Sequence, residues 1–252
     1  TPMHSRGPET LELRERVLDY ARYRMDLNPA PLDLASTPEQ LLEAAGQTIT
    51  EHGLGGLKAL ETFTEVLAPA CLSVDHPGYL SFIPCAPTEA SSLFDLVVSA
   101  SSIYGGSWLE GSGAVFAENQ VLAWLAAEVG LPETAGGVFV QGGTLGNLSA
   151  LVAARYRAQE LLRESGQNQP ARWRLICSAE AHSSLKAAAR VMDIELVPVP
   201  VDYEGRMRGN ATRDILDQVE ENSVFAIVAT AGTTNFGTVD RLDEVGQVAQ
   251  QH

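Results

Sequence analysis

RLICSAEAHSSLKAAARVMDIELVPVPV, residues 174–201, decides the fold. Arg174–Ser178 reads as a short apolar strand, Ser183–Met192 as a helix, and 195–201 as a second strand. Strand, helix and strand in such close succession make one unit of a parallel α/β sheet. The same alternation extends both ways. A short apolar strand is expected at 138–141, followed by a long Ala- and Leu-rich helix at 144–164. Downstream come a helix at 212–221, a strand at 224–230 and a helix at 242–250. The strands are continuous apolar runs, as expected where both sheet faces are covered. In open α/β sheets, ligands bind beyond the carboxyl ends of the strands.

Upstream the character differs. Residues 9–27 place apolar groups at helical spacing, and Asn28-Pro29-Ala30-Pro31 ends that helix. Thr37-Pro38 is an N-cap followed by proline at the first helical position, so a second helix is expected over 38–51. Gly53, Gly55 and Gly56 interrupt before a third helix at 57–67. Residues 1–75 thus read as a helical arm with little core of its own. From His76-Pro77-Gly78 a loop runs to Pro87, and helices follow at 88–103 and 113–129. Across residues 76–252 the character changes to the α/β alternation, which the resemblance drawn below implies is the first part of a larger domain.

The chain has 252 residues, 45% hydrophobic and 19% charged, an ordinary balance for a chain that buries a core. Its 17 basic and 32 acidic residues give a net charge of −15. That sign repels phosphate backbones and anionic bilayers, so neither nucleic acid nor membrane is an expected partner. No apolar run reaches the roughly 20 residues of a membrane span, and the first residues lack the apolar core of a secretory leader. Three widely spaced cysteines, Cys71, Cys85 and Cys177, fit a reducing compartment, so a cytoplasmic protein is expected.

Three polar segments follow expected strands. Gln141-Gly142-Gly143-Thr144 opens a helix with backbone that can approach an anion closely, helix-end N–H donors and a hydroxyl. The alternative is a tight turn with Thr144 as an N-cap. His182 offers an imidazole that can stack on a ring or carry protons, or simply start a helix with Ser183 and Ser184. Thr230-Ala231-Gly232-Thr233-Thr234 offers hydroxyls and N–H groups to a polar ligand, or a glycine turn satisfied by its own hydroxyls. Together they read as a cradle for a phosphorylated, ring-shaped cofactor. A nicotinamide site is disfavoured, because no Gly-x-Gly-x-x-Gly turn is present.

Taken in order, these stretches resemble the group II pyridoxal-phosphate-dependent amino-acid decarboxylases, which include the aromatic-amino-acid, glutamate, histidine and diaminobutyrate enzymes. The resemblance is carried by His76-Pro77 through Phe82-Ile83-Pro84, by Gly142-Gly143-Thr144 with Asn147-Leu148, by Ala181-His182-Ser183-Ser184, and by Ala229 to Thr234 with Asp240. It implies a fold-type I α/β architecture, pyridoxal 5'-phosphate as cofactor, an L-amino acid as substrate, decarboxylation to an amine, and a homodimer. Gly143 and Thr144 match the turn that holds the cofactor phosphate. His182 matches the histidine that stacks on the ring and is implicated in proton transfer. Thr230 matches a threonine near the ring substituents, and Phe82 to Cys85 match a substrate-facing segment. Cys85 stands where several members have Thr, and Leu145 where many have Glu. Both departures bear on the substrate. The two lysines, Lys58 and Lys186, match neither the family's anchoring lysine nor its His-Lys motif. The chain therefore reads as an N-terminal portion, with the lysine on a C-terminal half. Another fold-type I reaction, such as transamination or carbon–carbon cleavage, and a purely structural half are the alternatives.

Overall fold

The computed structural model describes residues 6–252. Residues 1–5, which begin the expected arm and were read for a leader, lie outside the described residues. The chain forms two compact units, one ending at Tyr104 and the other spanning Gly105 to His252.

The first unit contains α1 (Pro8–Asp26), α2 (Pro38–Ala45), α3 (Gly56–Thr62) running into a π-helical turn (Phe63–Leu67), and α4 (Glu89–Ala100). Thr37 caps α2 as expected. Its hydroxyl accepts from Gln40 N–H, and the Gln40 side chain accepts from Thr37 N–H at 2.9 Å. The helix stops at Ala45, short of the expected residue 51. Gly46 takes φ +67° and donates its N–H to the Leu42 carbonyl, which closes the helix end. Among the described residues of this unit only Ala30 and Thr62 are buried. One long-range tie is polar: Arg24 grips Asp75 through two nitrogens at 2.7 and 2.8 Å. The hydrogen bond from Arg24 holds the Asp75 carboxyl below the usual carboxylate range.

The second unit holds α5 (Trp108–Glu128), α6 (Gly142–Glu164), β1 (Arg174–Ser178), α7 (Ser183–Met192), β2 (Glu195–Val199), α8 (Gly209–Leu216), β3 (Val224–Val228) and α9 (Leu242–Gln251). The strands form a parallel sheet in the order β2-β1-β3. Leu175 and Ile176 of central β1 are wholly buried, on opposite faces. Leu175 and Cys177 pack with Leu151 and Leu162 of α6 and with Leu185, Ala188, Ala189 and Met192 of α7. Ile176 packs with Val199, Met207, Leu216 of α8, and Val245 and Val248 of α9. The spacing 185, 188, 189, 192 is one face of a 3.6-residue helix, which is why α7 lies flat on the sheet. Covering of both faces by helices is the doubly wound arrangement the sequence implies.

Three expectations are corrected. Residues 138–141 form no strand. Phe139 donates its N–H to the Glu118 carboxylate at 3.0 Å, Val138 and Phe139 are more than half exposed, and the segment has no neighbour in the sheet. An apolar run becomes a strand only when another strand completes its backbone hydrogen bonds. The helix expected at 212–221 starts earlier and ends at Leu216. The helix expected from 113 starts at Trp108, with Gly111 out of helical geometry at φ −126°, ψ 36°. Among the described residues no helix is long and apolar enough to cross a membrane.

Candidate active site

The sheet's carboxyl edge positions the site. β1 ends at Ser178, and the chain turns through Ala179, Glu180 and Ala181 to His182, which caps α7. Ala181 N–H bonds the Ser178 carbonyl at 3.0 Å and fixes that turn. His182 Nδ1 accepts the backbone N–H of Ser184 at 3.1 Å and lies 2.9 Å from the Ser184 hydroxyl. A backbone N–H can only donate, so Nδ1 is the acceptor and the neutral ring carries its proton on Nε2. The helix-start reading of His182 is therefore realised with one nitrogen only. Nε2 and the ring faces are left for other work, because His182 is exposed and lines an open cleft of about 340 Å³. Glu180, Ser183, Thr234 and Asn235 also line it. The second and third polar segments thus meet at one place.

The first segment stands at a neighbouring groove. α6 begins at Gly142 (φ +80°), a left-handed residue that favours glycine. Thr144 is the third residue of the helix and not its N-cap, which is Gln141. No side chain caps this end, and a helix leaves its first N–H groups without intrahelical partners. A Cβ built on Gly142 or Gly143 would meet nothing within 4 Å, so the space before the turn is open. Thr144 lines a groove of about 220 Å³ with Gln141, Leu145, Leu148, Ser184 and Val191.

Thr230 plays a backbone part. Its N–H donates to Asp240 Oδ2 at 2.7 Å, and its carbonyl accepts Asp240 N–H at 2.9 Å. Asp240, 2% exposed, also accepts Met207 N–H through Oδ1 at 2.7 Å. Within the following loop, the buried Thr233 hydroxyl accepts Thr238 N–H at 3.1 Å, so the glycine-turn reading holds for that hydroxyl. Phe82 (φ +62°) and Cys85 are exposed loop residues of the first unit. Lys58 pairs with Glu61 at 2.9 Å, and Lys186 is exposed on α7, outside the linings of both the cleft and the groove.

Sequence reasoning left Asn147 without a role. Its amide donates to the Ser184 hydroxyl at 2.8 Å and so joins α6 to the residue behind His182. The sequence signals were its position one turn beyond Thr144 and its place in the Asn147-Leu148 stretch of the family resemblance. Cys177 lies under the same edge, but burial, and then the Asp240 charge, push its thiol up to about 11, so it is no nucleophile.

The comparisons with known proteins fit this geometry. The family model described as "Pyridoxal-dependent decarboxylase conserved domain" matches residues 38–252. An aromatic-L-amino-acid decarboxylase of Bacillus atrophaeus is 26% identical over 251 residues, covering 98% of this chain and 50% of that protein. An L-2,4-diaminobutyrate decarboxylase of Rhizobium meliloti is 30% identical over 206 residues, covering 80% of this chain and 40% of that protein. The chain thus spans about half the length of the curated relatives it matches. Among solved structures, Rhodiola rosea 4-hydroxyphenylacetaldehyde synthase superposes with a TM-score of 0.81 at 24% identity, covering the whole of this chain and 56% of its own. Catharanthus roseus tryptophan decarboxylase, in complex with L-tryptophan, superposes with a TM-score of 0.80 at 20% identity, over 98% and 54%. These likenesses establish the fold-type I architecture. By the match over most of its length, the chain belongs to the pyridoxal-dependent decarboxylase family.

Proposed function

We propose that this chain supplies the phosphate- and ring-binding part of an enzyme that decarboxylates an L-amino acid to an amine with pyridoxal 5'-phosphate. The observation that carries the reading is His182, with Nδ1 committed to Ser184 while Nε2 and the ring faces remain available beside an open cleft. The residues fit the cofactor. A phosphate needs N–H and hydroxyl donors in uncrowded space, which Gly143, Thr144 and the start of α6 offer. A planar ring needs a flat partner, which an exposed imidazole offers. When bound, the cofactor supplies the electron sink for loss of the carboxylate. The chain's own part is to anchor with Gly143 and Thr144, to orient with His182, and to hold a transferable proton at His182 Nε2. Thr230 would meet the ring substituents, its backbone position set by Asp240. Phe82 and Cys85 would face the substrate.

The anchoring lysine would come from a C-terminal half outside these 252 residues, because Lys58 is paired with Glu61 in the first unit and Lys186 is not among the residues lining the cleft. Residues 1–75 would serve as the dimerisation arm of a homodimer, and 76–252 as the first part of the large cofactor domain. Support for the arm comes from the thin core of residues 6–75, where among the described residues only Ala30 and Thr62 are buried. A cytoplasmic site accords with three free cysteines.

A second reading keeps the cofactor and changes the product. A Rhodiola rosea relative 27% identical over 249 residues is named 4-hydroxyphenylacetaldehyde synthase. Product analysis by the intact protein on a panel of L-amino acids decides: amine release supports the decarboxylase, aldehyde release the second reading, and neither product overturns both. Borohydride reduction in the presence of pyridoxal phosphate, followed by peptide mapping, should leave Lys58 and Lys186 unlabelled. Stoichiometric label on Lys186 would refute the missing-lysine proposal.

A further inference from the structure

α6 holds α7 at both ends. At one end Asn147 donates to the Ser184 hydroxyl at 2.8 Å. At the other, Arg155 donates to the Met192 carbonyl at 2.8 Å. Between them Leu151, Leu185 and Ala188 are buried, so the two helices are locked in register. Ser184 is 3% exposed, which leaves its hydroxyl few options. A hydroxyl has one proton and two lone pairs. With the Asn147 amide occupying a lone pair, the proton is free to point at His182 Nδ1, 2.9 Å away. Nδ1 then receives two hydrogen bonds, one from the Ser184 hydroxyl and one from the Ser184 backbone N–H at 3.1 Å.

We propose that Asn147 is a positioning residue for His182: by orienting the Ser184 hydroxyl it adds a second donor to Nδ1, beside the backbone N–H that sets the Nε2–H tautomer, and so fixes the ring plane. The proposal rests on the reading of His182 as ring platform and proton carrier. The tautomer matters there because Nε2 is the nitrogen left over for the cleft. Asn147 itself touches no reacting atom, and its effect travels through Ser184. Second-layer partners of this kind set imidazole tautomer and orientation wherever a histidine does chemistry.

Nitrogen-15 NMR of the cofactor-free intact protein, labelled at histidine, reads the tautomer directly, with His182→Gln assigning the signals. The wild type should show pyridine-like Nδ1 and pyrrole-like Nε2 resonances. Asn147→Asp keeps the shape but replaces the donor by an acceptor. The Ser184 hydroxyl should then turn to the new carboxylate, leaving Nδ1 with the backbone N–H alone, and the pyridine-like Nδ1 resonance should move downfield. Ser184→Ala should act likewise, so a folding failure of one variant leaves the other. In turnover both should fall about 3- to 10-fold, the scale of one neutral hydrogen bond. Unchanged nitrogen shifts in both variants overturn the role of Asn147 and leave that of His182 intact. Shifted resonances combined with near-normal turnover by His182→Asn overturn the underlying reading, and the positioning role with it.

Discussion

Thr230 and Asp240 hold each other by two hydrogen bonds, Thr230 N–H to Asp240 Oδ2 at 2.7 Å and Asp240 N–H to the Thr230 carbonyl at 2.9 Å. The second carboxylate oxygen takes Met207 N–H, so one buried side chain ties the end of β3 to the segment before α8. Asp240→Asn should therefore do more than remove a charge. An amide has one acceptor, so its NH₂ would face one of the two backbone donors. A buried donor left unmet costs about 1–3 kcal/mol. Urea unfolding of the intact protein should show that loss, with weaker cofactor retention as the loop at 231–239 loosens. A variant as stable as the wild type would show the tie to be dispensable.

His182→Ala and Thr144→Ala should fail differently. General acid–base groups contribute about 10²–10⁴-fold, so His182→Ala should lose turnover chiefly, while the phosphate turn keeps most cofactor affinity. Thr144→Ala should weaken cofactor retention more than chemistry. Steady-state assays and cofactor titration on both variants check this. His182→Asn with near-normal turnover would reduce His182 to a helix cap.

Cys177 should resist alkylation in the folded protein. With its thiol near 11, roughly one molecule in a thousand carries a thiolate at pH 8, and the side chain is 2% exposed. Mass mapping after iodoacetamide should find Cys177 labelled only once denaturant is added. Rapid labelling under native conditions would contradict the packing of β1.

The Arg24–Asp75 fork should stabilise at neutral pH and fade in acid. Asp75 has its carboxyl depressed in the folded chain by the Arg24 hydrogen bond. Such a group stabilises above its unfolded pKa, and that stability is lost as pH falls through the folded pKa. Both side chains are about one-third exposed, so the gain is at most about 1 kcal/mol. Thermal unfolding of the wild type and Asp75→Asn should differ at pH 7, and the gap should narrow as the pH falls below the ordinary aspartate pKa of about 4. A gap that widens in acid would reverse the assignment.

Much of the fold was legible because its signals are local. The apolar run Arg174–Ser178, the 3.6-residue face of Ser183–Met192 and the cap at Thr37-Pro38 each need only their near neighbours. The failures have two causes. The segment at 138–141 has the composition of a strand, but strand formation needs a partner the described sheet does not offer. Helix α2 ends early because Gly46, unremarked among helix formers, adopts a left-handed conformation.

By itself the sequence determined the α/β class, the order of the three polar segments and the family, since periodicity and motif order survive without coordinates. Only the tertiary structure decided which groups meet. It brought His182 and Thr234 to one cleft and left Thr144 at the neighbouring groove. It set Asn147 on Ser184 across 37 residues and Asp240 on Met207 across 33. The physical reason is that such hydrogen bonds are made by helices and loops packed on a common sheet. Their partners are fixed by that packing, and no local pattern along the chain encodes it.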